Sequence, residues 1–193
     1  MMTTKLKLII NIWRILPYYI YIYKSKKCNI LIEDTIRWKE IYNMASTSDL
    51  VFFAYALLNL KEYRNLMYYR MNKGSRIIRS SFKFFFPIYD SLFIYTNDIG
   101  SGLFIQHGFS TIITAKHIGK NCFINQQVTI GADKPNEDLP WIGDNVRICA
   151  GAIIIGGIHI GNNSCIGAGA VVINDVKEGA TVVGVPAKPI SRN

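Results

Sequence analysis

The sequence predicts a mainly β fold, a parallel β-helix of six-residue repeats, preceded by an α-helical region. The first indication is an aliphatic residue that returns every six residues through the second half of the chain. The second is composition, because most glycines lie between residues 99 and 177, whereas most of the aromatic residues and arginines lie before residue 90. We therefore predict an N-terminal helical and aromatic region at 1–90 and a β-helix domain at 91–193.

The N-terminal segment 6–24 is apolar and aromatic, but Arg14 and Pro17 interrupt it. A membrane-spanning helix needs about 20 largely apolar residues, and a signal peptide needs an uninterrupted apolar core. The favoured interpretation is a docking helix or strand. A peripheral membrane contact through residues 6–24, with aromatic and basic side chains at the lipid surface, is the first alternative, and a true span is the second.

The next segment, 48–74, is predicted to form one helix. Ser48 or Asp49 is suited to cap its N-terminus, and Gly74 is suited to end it. Pro87 then interrupts the chain before the repeats begin.

The six-residue period fits neither a strand, which repeats every two residues, nor a helix, which repeats every 3.6. It fits a chain that turns a corner after each short strand, so that three strands complete one triangular coil. The leading aliphatic of each repeat is then predicted to fill the interior, stacked on its counterpart in the next coil. These positions, with one extra residue between the second and third, are Ile99, Ile105, Ile112, Ile118, Ile124, Ile130, Ile142, Ile148, Ile154, Ile160, Ile166 and Val172.

Corner residues of such a coil adopt positive φ angles, which glycine and asparagine tolerate best. Glycine follows many of the leading aliphatics, and asparagines recur at the corners. Residues 131–141 break the pattern with two prolines and three acids, and they are predicted to bulge out as a loop of the kind that often carries function. The predicted corner asparagines are Asn121, Asn145, Asn162 and Asn163.

Charge and cysteine content exclude several classes of protein. The 193 residues include 22 Lys and Arg against 13 Asp and Glu, a net charge of +9. The basic residues form no dense run and no nucleic-acid-binding motif is present, so no nucleic-acid partner is predicted. Without CxxC spacing, the four cysteines are interpreted as reduced packing residues, and no metal site is predicted. They are Cys28, Cys122, Cys149 and Cys165.

The three histidines differ in their place in the repeat. His117 and His159 directly precede a leading aliphatic and are interpreted as solvated corner residues. His107 falls at the irregularity between Ile105 and Ile112, outside that register. It is therefore the candidate catalytic histidine.

From about residue 50 to its end, the chain resembles the serine O-acetyltransferase-type members of the left-handed β-helix acyltransferases. The combination of an HG element, a long loop and a terminal GVPAK is much more specific than the hexapeptide pattern. The matching segments are "IGSGLFIQHG" (99–108), "IGKNCFINQQVTIG" (118–131), "IGDNVRICAGAIIIGGIHIGNNSCIGAGAVV" (142–172) and "VVGVPAKPI" (182–190).

The resemblance implies a cytoplasmic homotrimer that transfers acetyl from acetyl-CoA to a hydroxyl acceptor, without a metal. It gives His107 the role of general base. Acetyl-CoA would lie in a groove between two subunits, with its pantetheine arm against small residues and its phosphates near Lys188. The small residues that the resemblance assigns to the arm are Gly131, Ala132, Ala150 and Ala168.

Three departures from the family pattern bear on the acceptor. Leu92 stands fifteen residues before the histidine, where the family has an orienting acid, so Asp90 and Asp98 are the candidates to replace it. Gln106 stands where a second acid is usual.

The third departure is Asp138-Leu139-Pro140, which stands where the family places an Arg-His pair before the final proline of the loop. Because those cations help to hold the carboxylate of serine, their loss favours a neutral acceptor, a sugar hydroxyl of a surface polysaccharide. Serine itself, N-acetylation of an amino sugar and a non-catalytic scaffold remain as alternatives.

Overall fold

The computed structural model describes residues 4–24, 28–71, 74–135 and 137–191, without the side chains of residues 4–8 and 28. The chain divides into two compact units, Met1–Tyr89 and Asp90–Asn193. The described part of the first unit is helical. Its helices are α1 (Thr4–Tyr23), α2 (Cys28–Ile41), α3 (Asp49–Asn59), α4 (Lys61–Arg70) and α5 (Arg76–Phe85).

The N-terminal apolar segment forms a helix, α1, rather than a strand. One side of this helix is buried in the first unit, through Ile15, Tyr18 and Ile22. Of the helices in the described ranges, none combines the length and the apolarity that a membrane crossing requires.

The prediction of one helix over 48–74 is wrong, because the segment forms two helices separated by Leu60. Leu60 has an extended backbone, with φ −115° and ψ 102°, and it is buried. The side-chain amide of Asn59 donates a hydrogen bond to the Tyr55 carbonyl, 2.7 Å away, at the end of α3. Such a local bond competes with helix continuation. The second helix then ends at Arg70, before Gly74 is reached.

Aromatic contacts and a buried ion pair help to hold the first unit together. Trp38 of α2 packs edge-to-face on Tyr63 of α4, with ring centroids 5.2 Å apart, and both rings are buried. Arg70 of α4 binds the buried Asp34 of α2 through two nitrogens, Nε at 2.9 Å and Nη2 at 3.2 Å from the carboxylate oxygens. The paired geometry is the strong, bidentate form of an arginine–carboxylate contact.

The second unit is a left-handed β-helix, a triangular prism whose three faces are parallel sheets. Sheet A has the order β1-β3-β6-β9-β12, sheet B β4-β7-β10 and sheet C β2-β5-β8-β11-β13-β14. Only the last pair, β13 with β14, is antiparallel among the described strands. The strands are β1 (Leu92–Ile94), β2 (Phe104–Ile105), β3 (Thr111–Ile113), β4 (His117–Ile118), β5 (Phe123–Ile124), β6 (Thr129–Gly131), β7 (Trp141–Ile142), β8 (Arg147–Ile148), β9 (Ile153–Ile155), β10 (His159–Ile160), β11 (Cys165–Ile166), β12 (Val171–Val172), β13 (Thr181–Val183) and β14 (Lys188–Ile190).

The predicted aliphatic positions fill the prism interior, with one exception. Eleven of the twelve are buried, and strand pairing stacks them coil on coil, as in Ile124 against Ile148. The exception is Ile112, which points outward with 41% of its surface exposed, while Ile113 is fully buried in its place. The prediction of a single extra residue before Ile112 is therefore wrong, because the preceding turn holds two extra residues.

The corner residues follow the prediction in part. Asn121, Asn145 and Asn163 have φ angles of 55°, 56° and 59°, as predicted. Asn162 does not, and instead its side-chain oxygen accepts a hydrogen bond from the Asp144 backbone N–H at 2.8 Å.

Gly100 and Gly119, which follow leading aliphatics, have a different role from the one predicted. A Cβ atom on Gly119 would lie 2.5 Å from the backbone of Gly143 in the next coil, and one on Gly100 would lie 2.7 Å from Gly119. These glycines are therefore required by the close approach of successive coils, and not by a positive φ.

We predict that Asp34→Asn destabilises the first unit by roughly 3–5 kcal/mol, because it removes the charge of the carboxylate that binds the buried Arg70 guanidinium. The free energy of unfolding is measured by urea titration, followed by the helical circular dichroism signal. The control is Glu40→Gln, which removes the solvent-exposed pair of Glu40 with Arg37 and is expected to change stability by less than about 1 kcal/mol. Equal effects of the two substitutions would contradict the stabilising role of the buried pair.

Candidate active site

His107 lies in the turn that leads from β2 in sheet C to β3 in sheet A. Its φ angle is +60°, and that of Ser110 in the same turn is +51°. The Phe109 backbone N–H donates to the His107 carbonyl, which closes the turn tightly. Two left-handed residues in one corner make it wider than the others, and this accounts for the two extra residues before Ile113. The imidazole is left on the exposed outside of the prism.

Strand register places three further residues in line with His107. Strand pairing aligns Ile105 with Ile124, Ile124 with Ile148 and Ile148 with Ile166. The residue two positions after each of these isoleucines therefore occupies the same corner of the prism, one coil further along. The Gly151 N–H donates to the Gln126 carbonyl, and the Gly169 N–H donates to the Ala150 carbonyl, which continues this stacking through the corner. We refer to the four residues as the His107 column: His107, Gln126, Ala150 and Ala168.

The column lies beside open space at its alanines. The residues after them, Gly151 and Gly169, have φ angles of 70° and 66°. A Cβ atom on Gly169 would meet no heavy atom within 4 Å. Since sheet neighbours are about 4.8 Å apart, the three steps from His107 to Ala168 cover about 14 Å. The result is a straight row of outer residues that starts at an imidazole and ends in two alanines beside open space.

The structure does not bring all predicted site residues to this column. Gly131 ends β6 and Ala132 follows it, so both lie at the far end of a sheet A strand from the column. A Cβ on Gly131 would also meet nothing within 4 Å, so this second edge is open as well. Lys188 is exposed in β14, paired with Val183 of β13. It therefore lies at the opposite end of sheet C from β2, the strand that precedes His107.

Gln126 is a column residue that the sequence interpretation missed. Its side-chain oxygen is buried and, within the described residues, has no hydrogen-bonding partner. An unpaired buried acceptor disfavours folding by about 1–3 kcal/mol unless a water molecule or a ligand donates a hydrogen bond to it. The signal was available in the sequence, because Gln126 follows Ile124 by two residues as His107 follows Ile105. One residue earlier, the Asn125 amide donates to the Gln106 side-chain oxygen at 3.0 Å and joins the same two coils.

Asp98 contacts a different histidine from the one proposed for it. Its Oδ2 lies 2.7 Å from Nδ1 of His117, because Ile99 pairs with Ile118 and places the preceding residues side by side. Asp90 lies exposed at the start of the second unit, before β1. Leu92, at the position of the family acid, is buried in β1.

The interpretation of His117 and His159 as corner residues is wrong, since both lie in sheet B strands. His117 stacks on Trp141 with ring centroids 5.0 Å apart, and Trp141 stacks on His159 at 5.2 Å. The three rings form a ladder on the outer face of sheet B. They pair with each other and not with His107.

The loop between β6 and β7 offers little positive charge in its described residues. Lys134 is its one cation, and that ammonium lies 3.6 Å from the Glu137 carboxylate. Asp138 approaches Gly157 so closely that a Cβ there would lie 2.5 Å from it.

Thiol and metal chemistry find no support in the described residues. No group of three or more His, Cys, Asp or Glu side chains is arranged there to hold a metal ion. Burial raises the pKa of the Cys122 thiol to about 12, and burial followed by the nearby Cys165 raises that of Cys149. Both thiols, with Cys165, are free, as predicted. The side chain of Cys28 lies outside the described residues.

Comparison with known proteins gives a consistent set of relatives. A family model described as "Bacterial transferase hexapeptide (six repeats)" matches residues 140–174. The serine acetyltransferase of Synechococcus elongatus is 42% identical over 98 residues, which is 49% of this chain and 40% of that protein. The chain thus spans less than half the length of this curated relative.

Solved structures extend the similarity over more of the chain. The serine acetyltransferase of Neisseria gonorrhoeae in complex with serine has a TM-score of 0.67 and 30% identity, covering 88% of this chain and 71% of that chain. A serine acetyltransferase in complex with CoA also has a TM-score of 0.67, covering 90% of this chain and 75% of that one. At 24% identity, this second structure shows the shared fold alone.

Proposed function

Because the chain belongs to the serine acetyltransferase-type hexapeptide-repeat acyltransferases, we propose that it transfers acetyl from acetyl-CoA to the hydroxyl of L-serine. The observation that carries the proposal is the His107 column, in which an exposed imidazole begins a row that ends in two alanines beside open space.

His107 is proposed as the general base. An alcohol is a poor nucleophile at neutral pH, and an imidazole is suited to remove its proton as the oxygen attacks the thioester carbonyl. A C–O bond then forms while the C–S bond breaks, and the imidazolium returns its proton to the departing thiolate. The transfer needs no enzyme thiol, in keeping with the buried Cys122 and its raised pKa.

The donor is proposed to lie along the column. Ala150 and Ala168 leave room for the pantetheine arm to approach the backbone closely. The arm carries amide N–H groups, and the buried oxygen of Gln126 is free to accept from one of them. Exposed Lys188, at the far end of sheet C, is proposed to attract the phosphates of the nucleotide. Gly131 and Ala132 are proposed as contacts at the other open edge.

Serine replaces the sugar hydroxyl that the sequence favoured. The comparisons give a polysaccharide acceptor no support, whereas the Neisseria gonorrhoeae relative was solved with serine. A sugar hydroxyl remains the second candidate for one reason. In the described loop 132–140, Lys134 is the single cation, and it pairs with Glu137. The described loop therefore has no unpaired cation to bind the carboxylate of serine.

A homotrimer is proposed as the assembly. The outer face of sheet A carries a row of exposed apolar side chains, in contrast to the polar surface expected of an uncovered sheet. Packing of prisms through this face would cover the row and create the grooves between subunits that the family uses. The exposed residues are Phe93, Tyr95, Ile112, Ile153 and Ile173.

We predict that His107→Asn lowers kcat for acetyl transfer at least about 100-fold, because the base that activates the hydroxyl is lost. The measurement is release of the CoA thiol from acetyl-CoA in the presence of L-serine. The control is His159→Asn, which removes an exposed histidine of the same prism and is expected to retain activity. Equal rates in wild type and His107→Asn would refute the role of His107.

The same assay decides between the acceptors. Wild-type protein is tested with L-serine and with a panel of neutral sugars and amino sugars, each at saturating acetyl-CoA. Turnover of serine above every sugar supports the proposal, and turnover of a sugar alone would overturn serine as the acceptor.

We predict that Ala150→Leu raises the KM for acetyl-CoA about tenfold, because three added carbons would occupy the groove floor, and leaves the melting temperature nearly unchanged. A tenfold change corresponds to about 1.4 kcal/mol of binding energy. The matched control is Ala180→Leu, at a half-buried corner residue outside the column, which is expected to leave KM unchanged. If both variants behave alike, the donor does not follow the column.

A further inference from the structure

The solvent-facing side of α1 is apolar along three turns. Ile9, Trp13, Leu16 and Ile20 recur at spacings of four, three and four residues, which places them in one stripe of the helix. Ile9 is 68% exposed and Trp13 is 65% exposed. The opposite side of α1 is buried, so the helix is apolar on both sides. A water-exposed helix normally has a polar outer side, and this one does not.

The apolar stripe continues onto α5. Trp13 contacts Phe85 edge-to-face with ring centroids 5.7 Å apart, and Phe85 contacts Phe84 at 5.2 Å. Phe84 is 79% exposed, and Ile77, seven residues earlier on the same helix, is 81% exposed. We define the α1–α5 patch as these exposed side chains: Ile9, Trp13, Leu16, Ile20, Ile77 and Phe84. It is far larger than the isolated exposed apolar residues that need no explanation.

Positive charge is concentrated in the same unit. Residues 1–89 contain 15 Lys and Arg against 5 Asp and Glu, a net charge of +10, whereas residues 90–193 contain 7 against 8, a net charge of −1. Basic residues also stand next to the patch in sequence. Arg76 precedes Ile77 and Lys83 precedes Phe84, and both are exposed, as is Lys24 one turn beyond Ile20.

We propose that the α1–α5 patch docks the protein on an anionic lipid surface. Apolar and aromatic side chains that enter the headgroup region, with basic residues around them, are the features of an interfacial helix. Each basic residue near an anionic membrane adds to the attraction. The helix lies in the plane of the surface and does not cross it, in keeping with the peripheral contact considered for residues 6–24.

The α1–α5 patch could instead contact a second copy of the chain, but the positive net charge of residues 1–89 argues against this. Two units of +10 that met through this patch would repel each other, whereas an anionic bilayer is attracted. A nucleic acid would satisfy the charge but not the exposed isoleucines, tryptophan and phenylalanine. An anionic lipid surface satisfies both features, and it does so whether or not the chain transfers acetyl groups.

The test is cosedimentation of the full chain with vesicles. One set is made of phosphatidylcholine, and the other contains 30% phosphatidylglycerol. The protein is expected to bind the anionic vesicles at least tenfold more strongly than the neutral ones, with a partition coefficient that falls as salt is raised. Absence of binding, or equal binding to both sets at low salt, overturns the proposal.

Two matched variants locate the surface. Ile9→Glu introduces a charge into the patch, and Ile36→Glu introduces the same charge at an isoleucine of α2 that is 45% exposed. Both lower the net charge by one, so they differ only in position. Ile9→Glu is expected to weaken partitioning about tenfold, from loss of one buried isoleucine side chain and repulsion of its replacement, and Ile36→Glu by less than twofold.

Three further outcomes decide the case. Equal weakening by the two variants overturns the location of the patch. A smaller assembly in size-exclusion chromatography for Ile9→Glu, but not for Ile36→Glu, shows that a second copy covers the patch and overturns the lipid assignment. Unchanged acetyl transfer by Ile9→Glu with soluble substrates, together with its lost vesicle binding, supports the proposal and separates it from the activity of His107.

Discussion

The structure of the second unit depends on how closely successive coils of the prism approach each other. Glycine backbones stack with so little space that a single Cβ on Gly119 would enter the coil beside it. This approach lets each inward isoleucine contact its counterparts above and below, so that the interior is one continuous column of aliphatic carbon. Because every coil has this same contact, the position of each outer side chain along the prism is fixed by its place in the repeat.

The candidate active site follows from one departure from that regularity. At the first corner between sheets C and A, His107 and Ser110 both adopt left-handed backbone angles, and the turn holds two extra residues. The imidazole is thereby carried to the outside of the prism while its column remains in register with Gln126 and the alanines. In a rigid scaffold, one irregular corner is enough to set the proposed base apart, while the regular corners would line the proposed path of the donor.

The repeat architecture could be predicted because one steric requirement recurs at every sixth position, and eleven interior aliphatics confirm it. The wide corner could not be predicted, because its residues with positive φ are a histidine and a serine. Neither residue type marks a left-handed position in a sequence as glycine does. The two-helix form of 48–74 was hidden for a similar reason, since Leu60 has good helix propensity although its backbone is extended in the structure. The contact of Asp98 with His117 was accessible from the sequence, because residues that precede stacked aliphatics lie side by side.

The antiparallel strand β14 has a consequence for the behaviour of the folded chain. A stack of parallel coils exposes unpaired backbone groups at its ends, where another prism could add on and extend the stack into a fibre. On sheet C the chain reverses direction after β13, and β14 then pairs antiparallel with β13, so β14 covers the edge of the last coil. A coil of a second molecule would meet a reversed strand at that edge, so the parallel register of sheet C is not continued from one molecule to the next.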